Sequence, residues 1–191
     1  MSRLFSYDEC VKWSLGELSF DKDINDNDND NTKKKKKKNN ECDFGNKMIS
    51  TVLVNGKEGN YTTQWTTRLG EQLVKEVLEK QGKQVWRPKQ KEKMRPDWET
   101  NEYVWEVKSR NWNTPGTAGE KVLGTMYKYS DIPRLYGKPL KIVCVAYQEY
   151  EVCDGSNCKK IFGEVSAEKK GFLEYAKQIG IEYIKFSDLL Q

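Results

Sequence analysis

The chain contains no histidine. That absence excludes nucleophile systems built on imidazole, histidine-ligated zinc and nucleases in which imidazole activates water. Hydrolytic chemistry here must run on carboxylates, lysine and a hard metal ion. No apolar run approaches the ~20 residues of a bilayer span, so no membrane partner is expected. Cysteine is scarce and odd in number, with Cys10, Cys42, Cys144, Cys153 and Cys158. With no secretory signal at the start, reduced thiols in an intracellular compartment, cytoplasm or nucleus, are the expectation. Cys153 and Cys158 flank a turn-forming Asp-Gly-Ser-Asn string, and read either as a thiol-flanked loop or as half of a zinc knuckle completed by Cys10 and Cys42. Charge of either sign is nearly balanced, 33 Lys plus Arg against 29 Asp plus Glu. A net +4 permits a nucleic-acid partner without demanding one.

What is present divides into three parts. Residues 1–20 hold a short helical pattern from Tyr7 to Leu18. Residues 21–47 alternate Asp with Asn and then run through six lysines, Lys33 to Lys38. This composition buries too little apolar surface to offset the entropy of ordering, so a disordered insertion is expected, its lysines either solvated or serving as a nuclear address or nonspecific DNA tether. Residues 48–191 carry the periodic patterns of one domain of catalytic size.

Within that domain, Ile49 to Val54 reads as a strand closed by Asn55-Gly56. From Thr63 to Gln81 the residues Leu69, Leu73, Val74, Val77 and Leu78 share half of a helical wheel, with Gly82 at the C-terminal stop. Glu71 falls at the margin of that apolar arc, where a carboxylate can reach inward at a rim. A basic tract follows, with six cationic residues against Glu92 alone between Lys83 and Arg95. Two strands, Pro96 to Thr100 and Tyr103 to Arg110, are joined by a tight turn at Asn101-Glu102. A helix opens at Thr117-Ala118-Gly119-Glu120, and Leu140 to Tyr147 is apolar nearly throughout, as a central strand covered on both faces should be. A helix over 168–179 and a strand over 181–186 complete the pattern. Strands alternating with helices indicate an α/β domain.

The chemistry concentrates between Arg95 and Trp112. Strand alternation puts Tyr103, Trp105 and Val107 on one face and Val104, Glu106 and Lys108 on the other. An acid and a base side by side are what an ordinary core strand avoids. A hairpin sets Asp97 near Glu106, and two carboxylates held together are relieved by a divalent cation with oxygen ligands, usually Mg2+. Glu99 is the rival ligand if the register slips. The competing reading of Glu106 and Lys108 is a structural salt bridge.

In these residues the chain resembles the PD-(D/E)xK nucleases. Pro96-Asp97 matches the PD element, Glu106-Val107-Lys108 matches (D/E)xK, and Glu71 resembles the acid that many members carry on the preceding helix. The segment from Gly116 to Ala146 looks like the stretch that follows the motif in small type II restriction endonucleases, and the likeness spans residues 61–146. It implies a restriction-endonuclease-like mixed β-sheet flanked by helices. It also implies Mg2+ held by Asp97 and Glu106, with Lys108 beside the attacking water and Glu71 touching the metal or supporting it from behind. Only eight residues separate Asp97 from Glu106, near the short end of the family's range. The activity implied is Mg2+-dependent cleavage of double-stranded DNA at a short sequence, by a homodimer with a cognate DNA methyltransferase in the same cell. The alternatives are a junction resolvase or repair nickase on the same fold, and a catalytically silent DNA-binding module. Lys89, Lys91, Lys93 and Arg95 are expected to attract phosphate without regard to sequence. Arg110 and Asn111 have side chains suited to base edges, and Lys121 is placed near a helix start to meet phosphate.

Overall fold

Apolar stripes of helical period become helices and the alternating or continuous apolar runs become strands. The computed structural model describes residues 7–50, 64–114, 118–154 and 158–191. In chain order these form α1 (Tyr7–Ser14), α2 (Asp30–Ser50), α3 (Trp65–Lys80), β1 (Trp98–Glu99), β2 (Val104–Arg110), α4 (Ala118–Lys128), α5 (Ile132–Tyr136), β3 (Leu140–Ala146), α6 (Tyr147–Cys153), α7 (Ala167–Gln178), β4 (Ile181–Lys185) and α8 (Phe186–Leu189). The expected strand over 49–54 is not seen at its start, where Ile49 and Ser50 continue α2; its remainder lies outside the described residues.

The four strands lie in the order β1-β2-β3-β4, with β1 antiparallel to β2 and the other pairs parallel. Helices cover both faces, so the sheet is mixed and sandwiched, as the strand and helix alternation indicates. On one face Trp105, Val107, Val143 and Val145 pack with residues of α1, α2, α3 and α8. On the other, Val104, Ile142, Cys144, Ile181 and Tyr183 pack with α4, α5 and α7. Covered on both faces, β3 is buried at every position but Lys141.

Helix α3 fits its sequence pattern closely. Leu69, Leu73, Val74, Val77 and Leu78 are buried, and Gly82 follows with φ +80°, the left-handed conformation glycine adopts without penalty. Gly70 is there for a different reason. A Cβ at that position would stand 2.6 Å from both Cβ and Oγ of Ser109 on β2, and the Ser109 hydroxyl donates to the Thr66 carbonyl at 2.8 Å. A mid-helix glycine weakens the helix by about 1 kcal/mol, and here it lets α3 lie directly against β2. Gly70→Ala is therefore expected to lower unfolding stability by about 1–3 kcal/mol in urea titration, overpacking outweighing the helix gain.

The expectation of disorder over 21–47 is corrected. Helix α2 spans most of that stretch and continues to Ser50, and its C-terminal half brings Met48 and Ile49 into the same core as Cys10 and Trp13 of α1. Residues 1–47 are thus not an appendage to the domain: their described part, from Tyr7 on, builds one layer of it. Glu41, wholly buried, joins the pieces. Its carboxylate accepts from Trp13 Nε1 at 2.9 Å, from the backbone N–H groups of Trp112 and Asn113 at 2.8 Å each, and from Asn113 Nδ2 at 3.0 Å. Four donors offset the desolvation of one buried charge. Window-averaged composition hides this, because the lysines that dominate residues 33–38 are followed directly by the residues that dock.

The five cysteines are free. Cys10 is sealed in the core while Cys158 is exposed, so these two thiols are not gathered as a zinc knuckle requires. No helix of the described residues is long and apolar enough to cross a membrane.

Candidate active site

The hairpin forms in the register that the sequence suggests. Trp98 pairs with Trp105 and Glu99 with Val104, which sets Asp97 opposite Glu106. Thr100 N–H donates to the Tyr103 carbonyl at 2.9 Å and closes the two-residue turn Asn101-Glu102. Asp97 is fixed from the neighbouring strand, its Oδ2 accepting the Val107 backbone N–H at 2.7 Å.

Glu106 and Lys108 share the face of β2 that Val104 begins, and their side chains form an ion pair through Glu106 Oε1. Glu106 is 4% exposed. Its other oxygen, Oε2, is buried with no hydrogen-bond partner among the described residues. An unpartnered buried carboxylate oxygen is costly, and an ordered water or a bound cation would satisfy it. Lys108 Nζ is 5.9 Å from the Tyr129 ring centroid. Burial, then the Glu106 charge and hydrogen bonding between the phenol and the Glu106 carboxylate, push Tyr129 above its ordinary value, so a neutral hydroxyl stands beside the acid.

Asp97 carries the electrostatic signature of the site. Burial first, then the charges of Glu106 and Glu71, raise its pKa to about 8, against the opposing effects of the Val107 hydrogen bond and Lys108. Nearby carboxylates in low dielectric cannot all ionise without a compensating cation. Glu106, Glu71 and Lys108, the other three candidate catalytic residues, all bear electrostatically on Asp97.

Glu71 reaches this locus through a residue that sequence reasoning missed. Arg87 donates to Glu71 Oε2 at 2.5 Å and to the Asp97 backbone carbonyl at 3.0 Å, with its guanidinium 3.7 Å from Asp97 Oδ1. The same guanidinium stacks 4.0 Å from the Trp98 ring centroid, and Trp98 Nε1 donates to the Glu71 carbonyl at 2.8 Å. Glu71 is therefore bound to Arg87, which also holds the Asp97 backbone. Glu99, the rival ligand, pairs instead with Lys138 at 2.6 Å. The signal for Arg87 was its place in a short extended run, where Trp86 bridges to Glu99.

The donor set fits a small hard cation. Mg2+ takes one or two protein carboxylates and completes its shell with water and phosphate oxygens. Asp97 and the orphaned Glu106 oxygen supply such a pair, whereas a closed cage of three or more protein ligands is not found among the described residues.

The expected phosphate and base contacts divide. Lys89, Lys93, Arg95 and Lys121 are exposed. Lys91 is also exposed but is tied down, its ammonium donating to the Leu135 carbonyl at 2.8 Å. The loop around it is a tight turn: Lys91 and Met94 exchange backbone hydrogen bonds across Glu92 and Lys93, both left-handed at φ 45° and 64°. Arg110 is corrected as a base reader. It is 9% exposed, bonds Glu151 at 2.7 Å and stacks on Tyr147 at 4.7 Å. Glu151 also accepts from Lys159 at 2.8 Å; burial opposes its ionisation, but these two cations hold it below the usual carboxylate range. Asn111 is half-buried and donates to Thr114 Oγ1 at 2.7 Å, shaping its own loop.

Comparison of the chain with models of known families, with curated proteins and with solved structures finds no match.

Proposed function

We propose that the chain is a Mg2+-dependent endodeoxyribonuclease hydrolysing phosphodiester bonds of double-stranded DNA. The observation that carries the reading is the hairpin register that sets Asp97 opposite Glu106, with one Glu106 oxygen buried and without a hydrogen-bond partner among the described residues and Lys108 on the same face. Asp97 and Glu106 would hold the cation. When bound, it supplies positive charge to the scissile phosphate and lowers the pKa of water. Lys108 donates hydrogen bonds toward the charge that builds on the phosphoryl oxygens and orients the attacking water. Arg87 holds Glu71 and the Asp97 backbone in place. Hydrolysis is direct: water forms the new P–O bond, the bond to the leaving sugar oxygen breaks, and that oxygen takes a proton, with no covalent enzyme intermediate.

Cleavage of the restriction type, by a homodimer paired with a methyltransferase, is the finer form of this reading and rests on the resemblance of Pro96-Asp97 and Glu106-Val107-Lys108. With Arg110 committed to Glu151, sequence readout falls to other residues. Incubation of supercoiled plasmid with the protein in Mg2+ and in EDTA tests the proposal. Linear products in discrete bands with Mg2+ alone support it; selective cutting of branched DNA favours a resolvase, and binding without cutting in either Mg2+ or Mn2+ refutes it.

A further inference from the structure

The lysine run is sorted by the helix into two opposite faces. Lys33, Lys36, Lys37 and Asn40 recur at helical spacing and all turn toward the segment before α2. Lys36 meets Asp28 at 2.6 Å and the Asp23 carbonyl at 2.8 Å, and Lys37 meets Asp21 at 2.7 Å. Lys33 bonds the Asp26 carbonyl at 3.2 Å, and Asn40 the carbonyls of Phe20 and Lys22 at 2.9 and 2.7 Å. Hydrogen bonds from Lys37 and Lys36 lower the pKa of Asp21 and Asp28 respectively. The Asp-rich stretch thus neutralises one face of the run.

The opposite face is left uncompensated. Lys34, Lys35 and Lys38 are exposed, form no salt bridge among the described residues, and with Asn31 occupy an arc of about 100° at 3.6 residues per turn. The acids of α2 nearest them in sequence, Asp30 and Glu41, lie outside that arc, and Glu41 is buried and committed to Trp13, Trp112 and Asn113. We propose that this face is a contact surface for the phosphate backbone of nucleic acid.

Two further observations favour that partner. First, α2 is not free to wander. Glu41, one turn beyond Lys38, grips the backbone of Trp112 and Asn113 immediately after β2, so the cationic stripe is held rigidly to the strand that carries Glu106 and Lys108. Trp112, Asn113 and Lys37 also line one shallow cleft of about 330 Å3 with residues 16–21. Second, over residues 31–38 the outward face carries only Lys and Asn, and the apolar residues that follow on that side of α2, Cys42 and Ile49, are packed into the core. A helix that lies on a bilayer buries an apolar face, so an anionic membrane is the poorer fit. The proposal extends the DNA reading of the hairpin to a second surface but is tested separately from it.

Binding of a labelled ~30-bp duplex of mixed sequence is followed in EDTA, where no cutting occurs, from ~50 to ~300 mM KCl. Each phosphate contact adds about 0.9 to the slope of log affinity against log salt. The triple variant Lys34→Gln, Lys35→Gln, Lys38→Gln is expected to lower that slope by about 2–3 and to weaken binding on the order of a hundredfold at ~0.1 M salt, with its melting temperature unchanged. The inward triple, Lys33→Gln, Lys36→Gln, Lys37→Gln, is expected to melt lower yet change the slope by less than about one. Replacing the outward three with Arg should retain the wild-type slope. An unchanged slope in the outward Gln triple overturns the proposal, as does an equal loss in the inward triple or in the Arg triple. So does binding of phosphatidylserine vesicles that is stronger than binding of the duplex and equally lost. Plasmid cleavage that fails while the outward triple still loses slope rejects the hairpin reading alone; the converse pattern rejects only the α2 surface.

Discussion

Glu106→Gln is expected to reduce Mg2+-dependent cleavage on the order of 10³-fold while the protein stays folded. The effect is large because one substitution removes two things at once. It takes away the charge of the buried carboxylate whose Oε2 has no hydrogen-bond partner among the described residues, and it removes the ionic partner of Lys108. Loss of a single electrostatic contributor in a water-poor site costs about 10² to 10³ in rate, and loss of the cation adds to that. The fold should not suffer, since an amide replaces a buried charge of nearly equal size and relieves its repulsion with Asp97. DNA binding should be retained or tightened for the same reason. Lys108→Met is the companion: its side chain is 27% exposed, so its loss is tolerated structurally and its effect should fall on turnover. Single-turnover cleavage, melting temperature and duplex affinity measured together separate these outcomes. A Glu106→Gln protein that cuts as fast as wild type removes the hairpin from the mechanism.

Asp97→Asn is expected to stabilise the metal-free protein at alkaline pH and to abolish its stabilisation by Mg2+. Asp97 ionises near 3.8 in the unfolded chain and near 8 in the folded one. Between those values the folded state holds the extra proton, so the stability that Asp97 contributes is full below about pH 4 and is lost as pH rises through about 8. Asn has no proton to lose and keeps an oxygen for the Val107 N–H. At pH 8 to 9 the variant should therefore exceed wild type by about 2 kcal/mol or more, a rise in melting temperature of roughly 4–8 °C for a chain of this size. Below about pH 4 the two should converge. Mg2+ reverses the order at high pH, because a ligand that binds only the folded state stabilises it by mass action. Its apparent affinity for wild type should strengthen as pH rises to about 8, since binding displaces the Asp97 proton. Cleavage should rise over the same range. Melting curves across pH with and without Mg2+ read both signs.

The hairpin was legible because everything that specifies it is local. The Asn101-Glu102 turn fixes the register, two-residue alternation separates Trp105 and Val107 from Glu106 and Lys108, and Asp97 follows from counting back across the pair. Glu71 was legible from the helical wheel, though its partner was not, since Arg87 lies 16 residues away. Arg110 shows the limit more sharply. Its chemistry suits a base edge, but Glu151, 41 residues on in the chain, claims it, and only tertiary structure brings the two together. Helix α2 was missed because its lysines satisfy a compositional rule for disorder, whereas their spacing and the buried Glu41 satisfy a rule for docking. The end of β3 was misplaced by one residue: Ala146 adopts φ 58° and turns the chain into α6, so Tyr147, expected as the last strand residue, begins the helix. The role of Gly70, where α3 touches β2, is set by Ser109 far along the chain and has no local signal.

Cleavage at the hairpin requires Asp97 and Glu106 to share one cation. Anomalous diffraction from crystals soaked in Mn2+ tests this most directly. The expected result is one strong peak about 2.1 Å from an oxygen of each carboxylate, Glu106 Oε2 among them, and its disappearance in Glu106→Gln. A peak elsewhere with the Asp97–Glu106 pair left bare, or an unchanged peak in the variant, would contradict it.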